Sequence, residues 1–119
     1  MYNKRAVGAK QEQVAADYLR ENGYLILESN FRCRTGEIDV IAKDDGYLVF
    51  VEVKYRKNTA KGLPQEAVDL HKRQKITRTA QFYILRNHIP ADIPCRFDVV
   101  TILGQEISII QNAFDSVYG

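Results

Sequence analysis

The sequence lacks the features that mark secreted, zinc-binding and membrane-spanning proteins. It contains only two cysteines, Cys33 and Cys95, which are too few and too isolated for a disulfide framework or a zinc site. We therefore interpret both as free thiols. No apolar stretch approaches the roughly 20 residues that span a bilayer. Residues 1–5 lead into a polar helix pattern and not into the apolar core of a signal peptide. These absences predict a cytoplasmic protein.

Internal repeats, low-complexity tracts and linkers are also missing, so we expect one domain over residues 1–119. That length is ordinary for a single domain and is sufficient for one hydrophobic core. The apolar fraction of 45% is normal for a soluble globular protein, which argues against disorder.

The net charge is small, +2, and by itself indicates no particular partner. Positive charge is nevertheless concentrated in residues 54–78, where basic side chains far outnumber acidic ones. This distribution suits a polyanion that approaches the segment, although a solvated loop and helix face would have a similar composition. The basic residues are Lys54, Arg56, Lys57, Lys61, Lys72, Arg73, Lys75 and Arg78, against Glu66 and Asp69.

Two runs on either side of the dipeptide Asp45-Gly46 predict a β-hairpin. Residues 36–41 alternate polar and apolar side chains, as a half-buried strand does. Residues 47–55 are rich in β-branched and aromatic side chains, which is typical of a central strand. An Asp-Gly pair is a strong signal for a two-residue hairpin turn, and such a turn determines which residues face each other.

This register places Asp39 opposite Glu52 and Glu37 opposite Lys54. Opposed residues share a face, with Cβ atoms roughly 5 Å apart. Two carboxylates at that distance repel each other unless a positive charge lies between them. A divalent metal ion is the simplest such charge, because Mg²⁺ prefers oxygen ligands and is commonly held by one or two carboxylates.

The same residues would supply the chemistry of phosphodiester hydrolysis. Asp39 and Glu52 would bind the metal, with the backbone carbonyl of Val53 as a third oxygen. Lys54 emerges on the same face two residues beyond Glu52, where it could hold or help to deprotonate water, or offset charge on a phosphoryl oxygen. Glu37 would be either a supporting carboxylate behind the metal or the ion-pair partner of Lys54.

A structural cluster of ion pairs on a strand surface is the alternative for these residues. Leu48 and Phe50 occupy the same predicted face as Glu52 and Lys54, so this face begins apolar and becomes charged halfway along. Such a change is unusual for a merely solvated surface, but the pattern alone leaves both interpretations open.

A wider pattern resembles a known family. Asp39 followed by Glu52-Val53-Lys54 resembles the Asp…(Asp/Glu)-x-Lys motif, PD-(D/E)XK, of the restriction-endonuclease-like nucleases. The chain as a whole is similar to the YraN family, small bacterial proteins of uncharacterised function whose fold is similar to that of archaeal Holliday-junction resolvases. The segments that carry the resemblance span nearly the whole chain: Gly8-x-x-x-Glu12-x-x-Ala15-x-x-Tyr18-Leu19, Asn30-Phe31-Arg32, Gly36-Glu37-Ile38-Asp39, Val51-Glu52-Val53-Lys54 and Arg96-Phe97-Asp98-Val99-Val100.

The resemblance implies a nuclease-like fold with an Mg²⁺ or Mn²⁺ site. Glu12 matches the glutamate of the first helix that joins the metal site in resolvase-like relatives, and we predict a catalytic role for it; an ordinary residue at the border of the helix's apolar stripe is the alternative. Gln65 falls near the place where related nucleases often use a polar residue beside the site. Because a four-way junction has two-fold symmetry, the resemblance also implies a homodimer.

Six basic side chains near the predicted site are candidates for contact with backbone phosphate. Arg32 and Arg34 lead into the strand that carries Asp39, and arginine can hold phosphate through two hydrogen bonds. Lys72 projects at the N-terminal end of the second helix, where phosphate is favoured. Solvated loop charges are the alternative. The predicted set is Arg32, Arg34, Arg56, Lys57, Lys72 and Arg73.

The remaining patterns predict an α/β fold with a mixed central β-sheet flanked by helices, in the order αβββαβ plus one added strand, as in the restriction-endonuclease-like core. Arg96 and Asp98 alternate on one strand and are expected to pair structurally. The expected elements are a helix over 4–22 capped by Gly23, strands over 24–30, 36–41, 47–55, 96–103 and 106–111, a connection over 31–35, and a helical segment from Gln65 to about His88, either continuous or broken near Leu70-His71.

The sequence therefore predicts a nucleic-acid-binding protein that acts as a metal-dependent endonuclease, with branched or structured DNA as the expected substrate. Phosphate contacts carry no sequence information, so we expect recognition of shape. The alternative is a non-catalytic nucleic-acid-binding or adaptor module that retains the nuclease fold.

Overall fold

The computed structural model describes residues 4–60, 62–64 and 68–118. The predicted order of elements is confirmed in this part of the chain, and so is the mixed α/β fold. The elements are α1 (Lys4–Glu21), β1 (Leu25–Cys33), β2 (Gly36–Asp44), β3 (Tyr47–Arg56), α2 (Leu70–Arg86), β4 (Cys95–Leu103) and β5 (Glu106–Phe114).

The five strands form one sheet in the order β1-β2-β3-β4-β5. Strands β3 and β4 are parallel, because α2 connects them by a crossover, and the other neighbouring pairs are antiparallel. Parallel pairing at the centre requires that both faces be covered. Accordingly, β3 is buried from Leu48 to Glu52 and β4 from Arg96 to Ile102.

Each face of the sheet packs against one helix. Residues of α1, among them Ala15 and Leu19, form a core with Val49 and Val51 of β3. On the other face, residues of α2 such as Tyr83 form a second core with the alternate β3 residues, Leu48 and Phe50. The alternation of β3 side chains between the two cores follows from the two-residue period of a strand, and it means that Glu52 and Lys54 lie on the α2 side.

Local turn signals account for the sharp bends. Gly23 has a φ of +88° and ends α1, where the N–H of Tyr24 donates to the carbonyl of Leu19 (3.0 Å). Asp45 and Gly46 have φ values of +50° and +82°, as a two-residue hairpin turn of the primed type requires. Both predictions are confirmed.

Strand β1 is longer than predicted. The expected connection over 31–35 is largely strand, since β1 continues to Cys33. Phe31 drives this extension because it is buried and pairs with Ile38 of β2. Strand β5 is also longer and ends at Phe114, whose buried ring stacks on Phe97 (centroids 5.0 Å apart).

Helix α2 begins at Leu70, in agreement with the alternative of a break near Leu70-His71. The side chain of Asp69 accepts a hydrogen bond from the backbone N–H of Lys72 (2.9 Å) and caps the helix there, while residues 65–67 lie outside the described part of the chain. The helix ends at Arg86, two residues before the predicted end at His88.

The predicted pairing of Arg96 with Asp98 is confirmed, and it belongs to a buried network. Arg96 Nε donates to Asp98 Oδ1 (2.9 Å), and Arg96 Nη2 lies 2.7 Å from Asp44 Oδ2. The hydroxyl of Tyr24 donates to Asp98 Oδ2 (2.7 Å), and burial together with this carboxylate raises the pKa of Tyr24 to about 12. The network lies at the hairpin-turn end of the sheet.

Neither described helix is long and apolar enough to cross a membrane.

Candidate metal centre and active site

The site is located where the pairing of β2 with β3 ends. The ladder follows the predicted register from Asp44–Tyr47 to Val40–Val51. Beyond it, the backbone N–H of Val53 donates to Asp39 Oδ2 (2.8 Å) instead of to a backbone carbonyl. The ladder therefore does not reach the predicted pairs Asp39–Glu52 and Glu37–Lys54, and that part of the hairpin prediction is wrong.

The β2–β3 ladder ends here because the side chains of β2 change faces of the sheet at Asp39. Ile38 packs in the α2 core, whereas Val40, two residues later, packs in the α1 core. Residues two apart on a regular strand share a face, so the strand turns over at Asp39. Asn30, which lies opposite Asp39 in the register of β1, has a φ of +55°. The pairing of β2 with β3 stops at this irregular position, and a gap in the sheet follows it.

A cleft of about 390 Å³ occupies this gap. Because the sheet is open here, side chains from both helices reach it, although α1 and α2 lie on opposite faces. All five residues that were predicted to be catalytic or to bind metal line this cleft: Glu12, Asp39, Glu52, Val53 and Lys54. Its polar lining consists of Gln11 and Glu12 from α1, Glu37 and Asp39 from β2, Glu52 and Lys54 from β3, and Lys72 and Lys75 from α2.

Three carboxylates converge on one point in the cleft. Glu12, Glu37 and Asp39 each offer an oxygen that lies within 4.8 Å of the other two. Glu12 was predicted from the family resemblance, and α1 brings it to Asp39 across the open end of the sheet. Glu52 lines the same cleft but does not belong to this converging trio.

Glu52 is the most buried of the acidic residues in the cleft, with 6% of its surface exposed. Its Oε1 is buried and has no hydrogen-bond partner among the described residues, and its Oε2 lies 3.9 Å from Lys54 Nζ. A buried carboxylate oxygen without a partner is costly. The site thus holds an acceptor that lacks its donor or cation.

Burial and like charges disfavour ionisation of the two inner carboxyls. Burial raises the pKa of Asp39 to about 6, and the charges of Glu12 and Glu37 act in the same direction. Burial raises the pKa of Glu52 to about 8, with the charge of Asp39 as the second cause. The pKa of Lys54 is lowered, chiefly by burial and then by the side chain of Lys72. A bound cation would lower both carboxyl pKa values, because its charge favours the ionised form.

The donor set fits a hard divalent cation. Its side-chain ligands are all oxygens, which suits Mg²⁺ or Mn²⁺ rather than zinc or copper. The orphaned oxygen of Glu52 offers a further ligand on the wall of the cleft. Because N–H and C=O of one extended residue point to the same strand edge, the carbonyl of Val53 also faces the side on which Asp39 lies.

Two residues, Glu37 and Gln65, were predicted to support the site without binding the metal. Glu37 pairs with Arg32 (2.9 Å), whereas the ion pair of Lys54 is with Glu52, so the alternative in which Glu37 pairs with Lys54 is wrong. Gln65 lies outside the described residues.

The six predicted phosphate-binding residues do not all reach the cleft. Lys72 lines it, and Arg32 lies beside it through its pairing with Glu37. Arg34 is exposed in the β1–β2 turn, and Lys57 is exposed just beyond β3. Arg56 is half-buried at the end of β3, and its Nε is buried without a hydrogen-bond partner among the described residues.

Arg73 is placed away from the cleft. Its Nε donates to the carbonyl of Val68 (3.0 Å), and its guanidinium lies over the ring of Phe114 (5.4 Å). The side chain lines a separate cavity with Val99 and Ile110, so its contacts join α2 to the end of the sheet.

Among the residues that line the cleft, Gly8, Gln11 and Lys75 were not predicted as site residues. Lys75 follows Lys72 at a spacing that places both on one side of a helix, which was an available signal. Gln11 lies between Val7 and Val14 at helical spacing, so a polar side chain there interrupts an apolar stripe and was a second signal. Gly8 is the first residue of the segment Gly8-x-x-x-Glu12 that carries the family resemblance, but that pattern did not assign it a role in the site.

The sheet topology and the cleft define a restriction-endonuclease-like α/β domain. Residues 11–102 match the sequence model of "Uncharacterised protein family UPF0102", and the chain belongs to this family, which is the YraN family. It is 56% identical over 117 residues to a UPF0102 protein of Lachnoclostridium phytofermentans, with 98% of each chain covered. It is 48% identical over 111 residues to a UPF0102 protein of Persephonella marina, covering 93% of this chain and 95% of the relative.

Proposed function

We propose that this protein is an endonuclease that depends on Mg²⁺ or Mn²⁺ and hydrolyses phosphodiester bonds in nucleic acid. The observation that carries the proposal is the buried, unpartnered oxygen of Glu52, in a cleft where Asp39 and two further carboxylates converge. A folded domain keeps such an arrangement at a cost. A bound cation would offset this cost, because it would coordinate the unpartnered oxygen and neutralise the converging carboxylates.

Asp39, Glu12 and Glu37 would hold the ion, with Glu52 and the Val53 carbonyl as further oxygen ligands on the β3 wall. When bound, the ion would supply Lewis acidity toward a phosphoryl oxygen and a lowered pKa for a coordinated water. The protein's own contribution is to fix the ligands: Asp39 is oriented by the Val53 N–H, and Glu12 is held by the packing of α1 on the sheet.

Lys54 is the residue that would act on the reacting groups. Its ammonium lies 3.9 Å from Glu52 and is mostly buried, with 16% of the side chain exposed. In that position it would orient the attacking water or offset charge on the phosphoryl group. Lys72 and Lys75 line the same cleft from α2 and are exposed, so they would bind the phosphates that flank the scissile bond.

DNA with branched or unpaired structure is the proposed substrate, because backbone contacts of this kind recognise shape and not sequence. The proposed location is the cytoplasm. A homodimer would bring two clefts to one junction, and exposed apolar side chains such as Leu25, Leu27, Phe82 and Leu85 would support the contact. A monomeric mass in solution at micromolar concentration would contradict the dimer.

A non-catalytic nucleic-acid-binding or adaptor module is the second candidate. One observation favours it: Glu37, a member of the acidic trio, is already paired with Arg32 (2.9 Å). An adaptor would use the cationic residues around the cleft without cleaving the bound strand.

Cleavage assays separate the two candidates. The protein is incubated with labelled four-way junctions, flaps, duplexes and single strands in Mg²⁺ or Mn²⁺. Glu52→Gln is the test variant, and Glu21→Gln, which changes an exposed carboxylate at the end of α1, is the matched control. Cleavage by the wild type and the control, but not by Glu52→Gln, supports the nuclease. Binding without cleavage, equal in all three proteins, would favour the adaptor.

A further inference from the structure

Gly8 occupies a place in α1 that the packing of this protein does not explain. It is the fifth residue of an 18-residue helix, where glycine is less favourable than alanine because it loses more conformational freedom. A Cβ built at Gly8 would meet nothing within 4 Å among the described residues. The glycine is therefore not required by any close approach inside the described fold.

Gly8 lies on the wall shared by two adjoining cavities. It lines the acidic cleft, and it also lines a second groove of about 500 Å³ with Ala9, Glu12, Asn30 and Arg32. The unpartnered oxygen of Glu52 is an independent sign of a ligand, because that side chain is more than nine-tenths buried and lines the same cleft as Gly8. The surface of α1 at Gly8 thus connects the cleft, which contains the unpartnered oxygen of Glu52, to the second groove.

We propose that the second groove is a subsite for the sugar-phosphate backbone of the nucleic-acid strand, which leaves the cleft over Gly8 and continues to Arg32. This inference rests on the proposed function and extends it. The missing side chain lets a bulky backbone approach the helix closely. At the far end, the Arg32 side chain is 74% exposed and can bind phosphate through its planar fork of donors.

The charge distribution favours nucleic acid over an acidic protein segment as the occupant. Lys72 and Lys75 line the cleft from α2, and Arg32 lies in the groove beyond Gly8. The carboxylates of the metal centre lie between these two cationic ends. A phosphate backbone matches this order, because its central phosphate can reach a metal ion while the neighbouring phosphates meet the cations.

The test compares Gly8→Ala and Gly8→Gln with the wild type. Binding of a fluorescein-labelled DNA single strand and of the matching duplex is measured by anisotropy in Ca²⁺, an oxygen-preferring cation. Because both variants place a better helix former on an open surface, neither is expected to lower the melting temperature. We expect Gly8→Gln to weaken binding by about tenfold and Gly8→Ala by less. Binding of Gly8→Gln within about twofold of the wild type would overturn the subsite.

Arg32→Gln and Arg34→Gln form a matched pair, since both arginines are exposed near the β1–β2 turn but only Arg32 lines the groove. The subsite predicts that Arg32→Gln weakens binding more and lowers its salt dependence. Equal losses in the two variants would overturn it.

The failure of the subsite can be distinguished from the failure of the proposed function. The Mn²⁺-induced rise in melting temperature should be the same in Gly8→Gln and in the wild type, because the ligands are unchanged. If the wild type shows neither this rise nor cleavage, the proposal that the protein is a nuclease is contradicted. Even then, a loss of DNA binding in Gly8→Gln would support the proposal that the groove is a nucleic-acid subsite. A wild type that binds neither DNA probe overturns the subsite.

Discussion

Asp39 Oδ2 accepts a hydrogen bond from the backbone N–H of Val53 at 2.8 Å, one step beyond the last paired residues of β2 and β3. This carboxylate replaces the backbone acceptor that a continuing ladder would supply, and it also belongs to the converging acidic trio. One side chain therefore ends the sheet pairing and begins the site, and the two roles can be separated by mutation.

Replacing Asp39 should reveal its structural role. Asp39→Ala leaves the Val53 N–H without its acceptor, and we expect a loss of about 1–3 kcal/mol in the free energy of unfolding. Asp39→Asn keeps an oxygen that can accept the bond and should lose less. Urea denaturation without metal measures both. Equal stability of the two variants would show that the hydrogen bond contributes little.

Metal binding should stabilise the folded protein. A cation that binds only the native state adds about 2.7 kcal/mol when its concentration is 100 times its dissociation constant. We expect a corresponding rise in melting temperature with Mn²⁺, abolished in Asp39→Asn and reduced in Glu12→Gln. Glu21→Gln serves as the control, since Glu21 lies outside the cleft. A wild type that shows no shift at millimolar Mn²⁺ would argue against a working metal site.

Without metal, stability should fall as pH rises through the titration of the site. The folded pKa values of Asp39 and Glu52, about 6 and about 8, lie above their ordinary values of 3.8 and 4.5. The native state then holds more protons than the unfolded state between those limits, so the contribution of these groups to the free energy of unfolding decreases with pH. Glu52→Gln should flatten the slope, and denaturation from pH 4 to about pH 9 checks it. An unchanged slope in Glu52→Gln would contradict the assignment.

The same protonation should make metal binding stronger at higher pH, because the ligands must be ionised to coordinate the ion. The Mn²⁺-induced stabilisation should therefore grow between about pH 6 and pH 8. Isothermal titration calorimetry at several pH values, in buffers of different ionisation enthalpy, would detect the released protons. An affinity that does not change with pH would count against inner-sphere binding by Asp39 and Glu52.

Lys54 should be needed for cleavage but not for metal binding. We expect Lys54→Met to lower the cleavage rate by about 10²-fold or more, as the loss of one stabilising group at the reacting centre does. Because the variant removes a cation from the carboxylates, its Mn²⁺-induced stabilisation should be kept or increased. A variant that loses both properties would indicate a structural role for Lys54.

Asp98 should be important for stability and not for the site. It is fully buried and paired with Arg96 and Tyr24, so Asp98→Ala leaves a buried guanidinium without its main partner. The expected cost is about 3–5 kcal/mol. If Asp98→Ala still shows the Mn²⁺-induced rise in melting temperature, the Asp98 network stabilises the fold and has no direct part in metal binding. A cost below about 1 kcal/mol would contradict the role assigned to the pair.

Much of the architecture could be predicted because its signals are local. The left-handed φ values of Asp45 and Gly46 determine the hairpin turn, and that turn fixes the register of the pairs from Asp44–Tyr47 to Val40–Val51. Gly23 ends α1 for the same kind of reason. The alternating or continuous apolar runs identified the strands, since the two-residue period and burial on both faces are properties of short segments.

Two of the differences from the prediction arise from contacts between distant parts of the chain. The ladder ends early because Asp39, Asn30 and Val53 meet from three strands. The start of helix α2 at Leu70 has a local cause, because the side chain of Asp69 accepts a hydrogen bond from the backbone N–H of Lys72. Arg73, which reads as an exposed cation in a basic segment, packs over Phe114, more than 40 positions later in the printed sequence.

The sequence by itself determined the elements, their order, the turn geometry and the candidates Asp39, Glu52 and Lys54, because hydrophobic periodicity and turn preferences act over a few residues. Only the tertiary structure decided which side chains meet. The face change at Asp39 opened the sheet, so α1 could bring Glu12 and Gly8, and α2 could bring Lys72, to one cleft from opposite faces. That meeting depends on the packing of two helices against a shared sheet, which no local pattern of residues encodes.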